Sequence, residues 1–318
     1  LLEKNYRVIA ADRRSSRNTN WRHIELGIEN ELENIDFDLN DANSIYAIFK
    51  NYKNIKEFYN LAAQSFVKAS FDVPIETANS TAFSVLKILD FIKNFQPKIK
   101  FYQASSSEMF GDTNSKIQNE KTIFYPRSPY AVSKVFAHEM TRNYRESYGL
   151  FACSGILFNH ESPLRGEEFV TKKIVKSLVQ IKFGKKELLE LGNIYSKRDW
   201  GFAGDYVEAM WKMLQQKKAD DYVICTSKTY SVKQFVNYCC NLLKIPIIWR
   251  GVGLNEYAIN KTNNKKIIRI NQKFYRPAEV NYLRGSYLKA KKELKWKPKK
   301  SLKKIIEMMI EYEIKNLA

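Results

Sequence analysis

Four short apolar runs alternate with segments of helical periodicity through the first half of the chain, and this alternation restricts the fold more than any other feature. Residues 6–12, 56–61, 98–103 and 151–158 read as strands. Between them, residues 45–52, 77–94 and 133–148 carry apolar side chains at helical spacing, as in Ala82, Val85, Leu86, Leu89 and Ile92. Strand and helix in strict turn build βαβ units, which predicts an α/β fold with a doubly wound parallel sheet. Such sheets bind ligands in the crevice at the carboxyl ends of their strands.

The rhythm changes after about residue 160. A helix over 165–182 is expected, then short strands at 188–192 and 222–225, a helix over 232–243 and a polar loop over 255–266. The basic stretch from Lys289 to Lys304 holds nine lysines interrupted by Leu294, Trp296, Pro298 and Leu302. That spacing reads as two amphipathic helices around a turn, not as a disordered tail. The net charge is +19, from 53 Lys and Arg against 34 Asp and Glu. Lysines dispersed over solvated faces account for it, so neither nucleic acid nor a membrane surface is the expected partner. No apolar window approaches the roughly 18 residues of a membrane span. Cys153, Cys225, Cys239 and Cys240 show no metal-ligand spacing, and three scattered histidines make no zinc site. Free thiols and a cytoplasmic location are expected, with no metal.

The strongest chemical signal is Tyr130-Ala-Val-Ser-Lys134 near the start of a helix. Residues four apart share a helical face, so the ammonium can lie beneath the phenol. Such a cation, together with an oxidised nicotinamide, would lower the tyrosine pKa from its reference near ~10 and make Tyr130 a base for a sugar hydroxyl. Upstream, Gln103-Ala-Ser-Ser-Ser-Glu-Met-Phe-Gly111 runs from a strand into a turn of small residues. Ser106 and Glu108 alternate, which predicts that both point the same way towards Tyr130.

Several segments carry a resemblance. They are Asn60-Leu-Ala-Ala-Gln-Ser65, Phe101-Tyr-Gln-Ala-Ser-Ser-Ser-Glu108, Phe124-Tyr-Pro-Arg-Ser-Pro-Tyr130 and Gly155-Ile-Leu-Phe-Asn-His-Glu-Ser-Pro163. Lys197-Arg-Asp-Trp-Gly201, Asp205-Tyr-Val-Glu-Ala-Met-Trp211 and Tyr275-Arg-Pro-Ala-Glu-Val280 complete the set. In order and spacing the chain resembles the GDP-mannose 4,6-dehydratase family of extended short-chain dehydrogenase/reductases. The resemblance implies a dinucleotide-binding domain over residues 1–160 and a mainly GDP-sugar domain over 161–318, with segments near 190–235 returning to the sheet. It implies an internal redox cycle at Ser106, Glu108, Tyr130 and Lys134. Tyr130 takes the 4-hydroxyl proton, Glu108 takes the C5 proton and assists loss of the 6-hydroxyl, Ser106 steadies the 4-oxygen, and Lys134 tunes Tyr130.

The resemblance also implies NADP as cofactor, NAD being possible. Asp12, Arg13, Arg14, Ser15 and Ser16 follow the second strand of the family's fold. An acid there favours a ribose hydroxyl, and arginines favour a 2′-phosphate. Asp38 and Leu39 match the adenine contact, Leu61, Ala62, Ala63, Gln64 and Ser65 the strand beneath the cofactor, and His160 and Arg165 further contacts. Asn159, Lys173, Arg198, Arg276 and Glu279 would hold the sugar nucleotide beside Ser106. A homodimer or homotetramer is implied, with the loop of residues 13–18 reaching a neighbour. Departures from the family at Phe66, Glu76, residues 78–82 and Leu164 leave the sugar open between mannose and another GDP-hexose or a GDP-heptose. Two alternatives stay open: a GDP-sugar epimerase or reductase, which would not need Glu108, and an inactive homologue.

Glycine is absent before Gly27 and again until Gly111, so the chain has no G-x-G-x-x-G phosphate loop. In the family, a strand, a glycine-rich turn and most of a helix precede the segment that resembles residues 1–6. The expectation is therefore a chain that starts after the first βα unit, with a hole in its sheet and weakened cofactor affinity.

Overall fold

The computed structural model describes residues 1–15 and 20–317. Its strands are β1 (Ile9–Asp12), β2 (Glu33–Asp36), β3 (Glu57–Asn60), β4 (Lys100–Ser106), β5 (Ala152–Leu157), β6 (Asn159–Glu161) and β7 (Leu189–Leu191). They continue with β8 (Lys197–Arg198), β9 (Trp200–Phe202), β10 (Asp221–Ile224), β11 (Tyr230–Ser231), β12 (Ile247–Arg250), β13 (Tyr257–Asn260) and β14 (Lys266–Ile270).

The central sheet is parallel throughout and runs β10-β5-β4-β3. Nearly every residue of β4 and β5 is buried, as a strand covered on both faces must be. On one face Phe101 and Ala152 pack with Ile45, Phe49, Val85, Leu89 and Tyr144 from three helices. On the other, Tyr102 and Cys153 meet Tyr206, Met210, Met213 and Trp296. Parallel β1 and β2 form a separate pair, and among the described residues β1 and β3 share no ladder. Side chains join the two blocks instead: the Tyr6 hydroxyl donates to Glu57 at 3.1 Å and accepts from the Trp211 indole at 3.1 Å.

The helix Pro129–Tyr148 is bounded by its sequence. Ser128 caps it by accepting the Ala131 N–H at 3.1 Å, Pro129 opens the first turn, and Gly149 ends it at φ 66°. It lies against β4 and β5 and presents Tyr130 and Lys134 to the strand ends. The second half of the chain builds a mixed sheet, β12-β13-β14-β7, covered by helices Val170–Lys182, Val232–Leu242 and Leu302–Lys315.

Three expectations are corrected. The segment 255–266 is not a plain loop, because Tyr257–Asn260 pairs antiparallel with Lys266–Ile270 around an Asn- and Lys-rich turn. The helix expected over 165–182 begins at Val170, and Ser162 instead caps a turn by accepting the Leu164 N–H. The helix expected over 77–94 is present and continues from Pro74 to Phe95, widening by one turn at Asn79–Phe83, and the hydroxyls of Thr77, Ser80 and Ser84 bond back to carbonyls four residues earlier. Glu108 is not on a strand: β4 stops at Ser106, and Glu108 sits in the single 3₁₀ turn Ser107–Met109.

Gly155 shows how tightly β4 and β5 abut. A Cβ there would lie 2.4 Å from the Tyr102 hydroxyl, whose ring is fully buried and cannot retreat. Gly155→Ala is expected to cost about 1–3 kcal/mol by overpacking, read as a lower urea midpoint at unchanged slope.

Candidate active site

One cavity of about 1610 Å³ opens along the carboxyl ends of β3, β4 and β5. Ser106, Glu108, Tyr130 and Lys134 all line it, as do Asn159, His160, Arg165, Lys173, Arg198, Arg276 and Glu279. Leu61, Ala63 and Ser65 form part of its wall. Ala62 and Gln64 belong to the same segment but are not lining residues. Asp12, Arg13, Arg14, Ser15, Asp38 and Leu39 stand apart from the cavity wall, at and beyond the ends of β1 and β2. Ser16 lies outside the described residues.

Tyr130 and Lys134 occupy successive turns of one helix face, both nearly fully buried. The Lys134 ammonium donates to the Ala104 carbonyl at 2.8 Å and lies 5.8 Å from the Tyr130 ring centre. Burial pulls its pKa down to about 8. Burial also pushes the Tyr130 phenol up to about 12, against a downward pull from its hydrogen bond with Ser106. The lysine by itself therefore does not bring Tyr130 towards neutrality. Desolvation wins, and a positive charge closer to the phenol is required to reverse it.

Ser106 ends β4 and its Oγ accepts the Glu108 N–H at 3.2 Å, which fixes the turn that carries the carboxylate. Glu108 is nearly buried, with Arg276 3.5 Å from Oε2 and Arg198 4.0 Å from Oε1. Arg198 is buried, which depresses its pKa, and Glu108 is the main influence acting the other way. Glu279 accepts from the Ser196 hydroxyl at 3.1 Å and the Arg276 N–H at 3.3 Å. Opposite them the His160 Nδ1–H donates to the Phe158 carbonyl at 2.9 Å, its ring stacked on Tyr206. Burial and the nearby Arg165 keep that imidazole neutral.

Two cations rest on aromatic rings that sequence reasoning did not single out. Lys173 lies 3.4 Å from the centre of Phe274, and Arg165 lies 3.6 Å from that of Phe169. Burial, reinforced by Lys186, pulls Lys173 down to about 8. Arg22 also reaches the wall, donating to the Leu164 carbonyl at 3.0 Å. Behind the site, His138 continues the helix face of Tyr130 and Lys134 and meets Ser105 Oγ at 3.1 Å. The spacing of four residues from Lys134 was the signal that could have found it.

The surroundings suit a nicotinamide dinucleotide. Strand ends converge on one cavity, exposed Leu61 offers an apolar surface in its wall, and in the same segment the buried Gln64 Oε1 has no hydrogen-bond partner among the described residues. At the end of β1, Asp12 accepts the Arg13 backbone N–H at 2.8 Å, turning one carboxylate oxygen onto its own loop, while Arg13 and Arg14 are exposed.

A protein-family profile described as GDP-mannose 4,6 dehydratase matches residues 1–309. GDP-mannose 4,6 dehydratase 1 of Arabidopsis thaliana is 46% identical, over 99% of this chain and 84% of that protein. GDP-mannose 4,6 dehydratase of Homo sapiens is 42% identical, over 99% of this chain and 86% of that protein. Among solved structures, RMD from Pseudomonas aeruginosa complexed with NADPH superposes with a TM-score of 0.77, at 20% identity over 98% of each chain. That likeness is one of fold.

Proposed function

The chain belongs to the GDP-mannose 4,6 dehydratase family, and from that premise we propose that it is an NADP-dependent GDP-sugar 4,6-dehydratase, acting on GDP-mannose or a related GDP-hexose or GDP-heptose. The observation that carries this reading is the placing of one buried carboxylate, Glu108, in the cavity shared by Ser106, Tyr130 and Lys134. Oxidation and reduction alone need the last three. Removing a carbon-bound proton and expelling a hydroxyl needs a carboxyl group as well.

When bound, NADP supplies the acceptor for the C4 hydrogen and returns that hydrogen to C6. Its nicotinamide end would lie against Tyr130 and Lys134, and Leu61, Ala63, Ser65 and His160 would hold it along the cavity. Asp38 and Leu39 would contact its adenine, and Ala62 and Gln64 belong to the segment beneath it. Tyr130 takes the 4-hydroxyl proton, and Ser106 donates to the 4-oxygen as charge gathers there. The 4-ketone acidifies C5, and Glu108 removes that proton. The same carboxyl group then gives a proton to the 6-hydroxyl, which departs as water and leaves a C5–C6 double bond. Reduction at C6 with protonation at C5 completes the 4-keto-6-deoxy sugar. Arg165 would join His160 on the cofactor, and Asn159, Lys173, Arg198, Arg276 and Glu279 would hold the nucleotide sugar, the basic groups facing its diphosphate.

Incubation with GDP-mannose and NADP, followed by the alkali-induced absorbance of the keto sugar, tests the reading directly. Ketone formation is expected. Failure with GDP-mannose and with every other GDP-hexose and GDP-heptose would overturn it.

Arg13 and Arg14 favour NADP because guanidinium groups pair a 2′-phosphate, and Asp12 has one oxygen committed to its own loop. The double change Arg13→Ala and Arg14→Ala is expected to raise the KM for NADP by about tenfold or more, with the KM for NAD little changed.

Homodimer or homotetramer assembly is part of the same proposal. Exposed Phe83, Phe95, Val132 and Tyr148 lie on two helical segments packed side by side, and sedimentation velocity reads the assembly. Among the described residues no helix is long and apolar enough to cross a membrane. All four cysteines are unpaired and buried, which supports a reducing, cytoplasmic setting for this enzyme.

A further inference from the structure

The chemistry at Glu108 requires a carboxylate aimed at a C–H bond. In the protein alone it is aimed at two guanidiniums. Arg276 Nη1 lies 3.5 Å from Glu108 Oε2, and Arg198 Nε lies 4.0 Å from Oε1. Neither contact is a formed hydrogen bond, and Arg276 Nη1 is a buried donor with no hydrogen-bond partner among the described residues. Arg198 uses Nη1 on the Lys197 carbonyl at 3.0 Å, and its Nε faces the carboxylate. Glu279, the other nearby acid, accepts from the Ser196 hydroxyl and the Arg276 backbone N–H, and its Oε1 lies 4.0 Å from Arg276 Nε, which leaves Nη1 to Glu108.

Resting on the dehydratase reading, we propose that Arg276 and Arg198 form a latch on Glu108 that the substrate's own diphosphate opens. Arg198 is only 7% exposed, and a buried guanidinium stripped of its counter-ion is strongly unfavourable. Glu108 is the main counter-charge on Arg198, ahead of Glu279, so it turns towards the sugar more readily once another anion takes its place. A neutral hexose offers none. A diphosphate offers oxygens at ordinary charge-assisted distance, about 2.7–2.9 Å, in the paired geometry that a guanidinium fork matches. It replaces two loose ion pairs with true hydrogen bonds and satisfies the orphan donor on Arg276. Binding energy from the remote end of the substrate is thereby converted into a free base at the reacting end. Arg276 is the positioning residue of the pair, because its guanidinium is the more exposed and the freer to swing.

The test separates the diphosphate from the sugar. A 4-keto-6-deoxyhexose without nucleotide is incubated with the NADP-bound protein in deuterated water, and deuterium entry at C5 is followed with and without inorganic pyrophosphate. In the wild type, pyrophosphate is expected to speed exchange by about tenfold. Arg276→Gln is expected to exchange at the faster rate without pyrophosphate and to gain less than about twofold from it, although its KM for the GDP-sugar rises. A misfolded variant could not gain rate, so the opposite signs exclude simple damage. Glu108→Gln should be silent in every arm, which ties the exchange to that carboxylate. Wild-type exchange indifferent to pyrophosphate, or absent with it, overturns the latch, as does an Arg276→Gln protein that still depends on pyrophosphate. If the latch alone is overturned, the wild-type protein still dehydrates its GDP-sugar, whereas failure of the dehydratase reading removes dehydration of every GDP-sugar tried.

Discussion

Glu108→Gln is expected to lower dehydration by about 10²–10⁴-fold, the range of a positioned general acid–base group. The substitution keeps the size and planarity of the side chain and the backbone N–H that Ser106 accepts. It removes the only feature needed for proton abstraction, the negative charge. In the proposed cycle the first half relies on Tyr130, Lys134 and Ser106, which are untouched. The variant should therefore oxidise C4 once and stop. Mixed with GDP-mannose and NADP, it is expected to accumulate reduced nicotinamide to a stoichiometric fraction of sites, with no deuterium incorporated at C5 from deuterated water. That pattern distinguishes a lost C5 base from a damaged fold, which would lose the oxidation as well. A variant that dehydrates at a near-normal rate would show that another group takes the C5 proton.

The sequence revealed the fold where burial is local and periodic. The strand β5 is an unbroken run of apolar or small residues, and β4 departs from one only at Lys100 and the buried Gln103, because both faces are covered, so runs of residues locate them. Prediction failed where polar turns compete with periodicity. The polar residues between Asn260 and Lys266 hide a hairpin whose strands are short. The site divides in the same way. Tyr130 and Lys134 are legible because four residues make one helical turn. The ion pair of Glu108 with Arg276 joins groups more than half a chain apart, through a 3₁₀ turn and a loop, and no local pattern encodes it. The rings under Lys173 and Arg165 were hidden similarly, since Phe274 and Phe169 look like ordinary core aromatics until the fold sets a cation over them.

The buried pair predicts a bell-shaped pH profile with a separable cause for each limb. Tyr130 is a base only after losing its proton, and the protein alone holds the phenol at about 12, chiefly by burial. Activity at neutral pH thus requires the positive charge of the oxidised nicotinamide to pull that value down, and turnover should rise with pH as the phenol ionises. In the proposed mechanism Lys134 assists only while charged, and burial has brought it to about 8. Raising the pH through that value removes the ammonium that steadies the phenolate, so turnover should fall again. Tyr130→Phe is expected to lose about 10²–10⁴-fold in kcat and the ascending limb with it. Lys134→Arg keeps a charge that does not titrate in this range. It should therefore lose the descending limb, at a lower overall rate, because a planar guanidinium does not reproduce the bond to the Ala104 carbonyl. Measuring kcat against pH at saturating NADP and sugar nucleotide for the three proteins separates the limbs. An unchanged descending limb in Lys134→Arg would assign it to another group, for which Lys173, also at about 8 and lining the same cavity, is the one to substitute next.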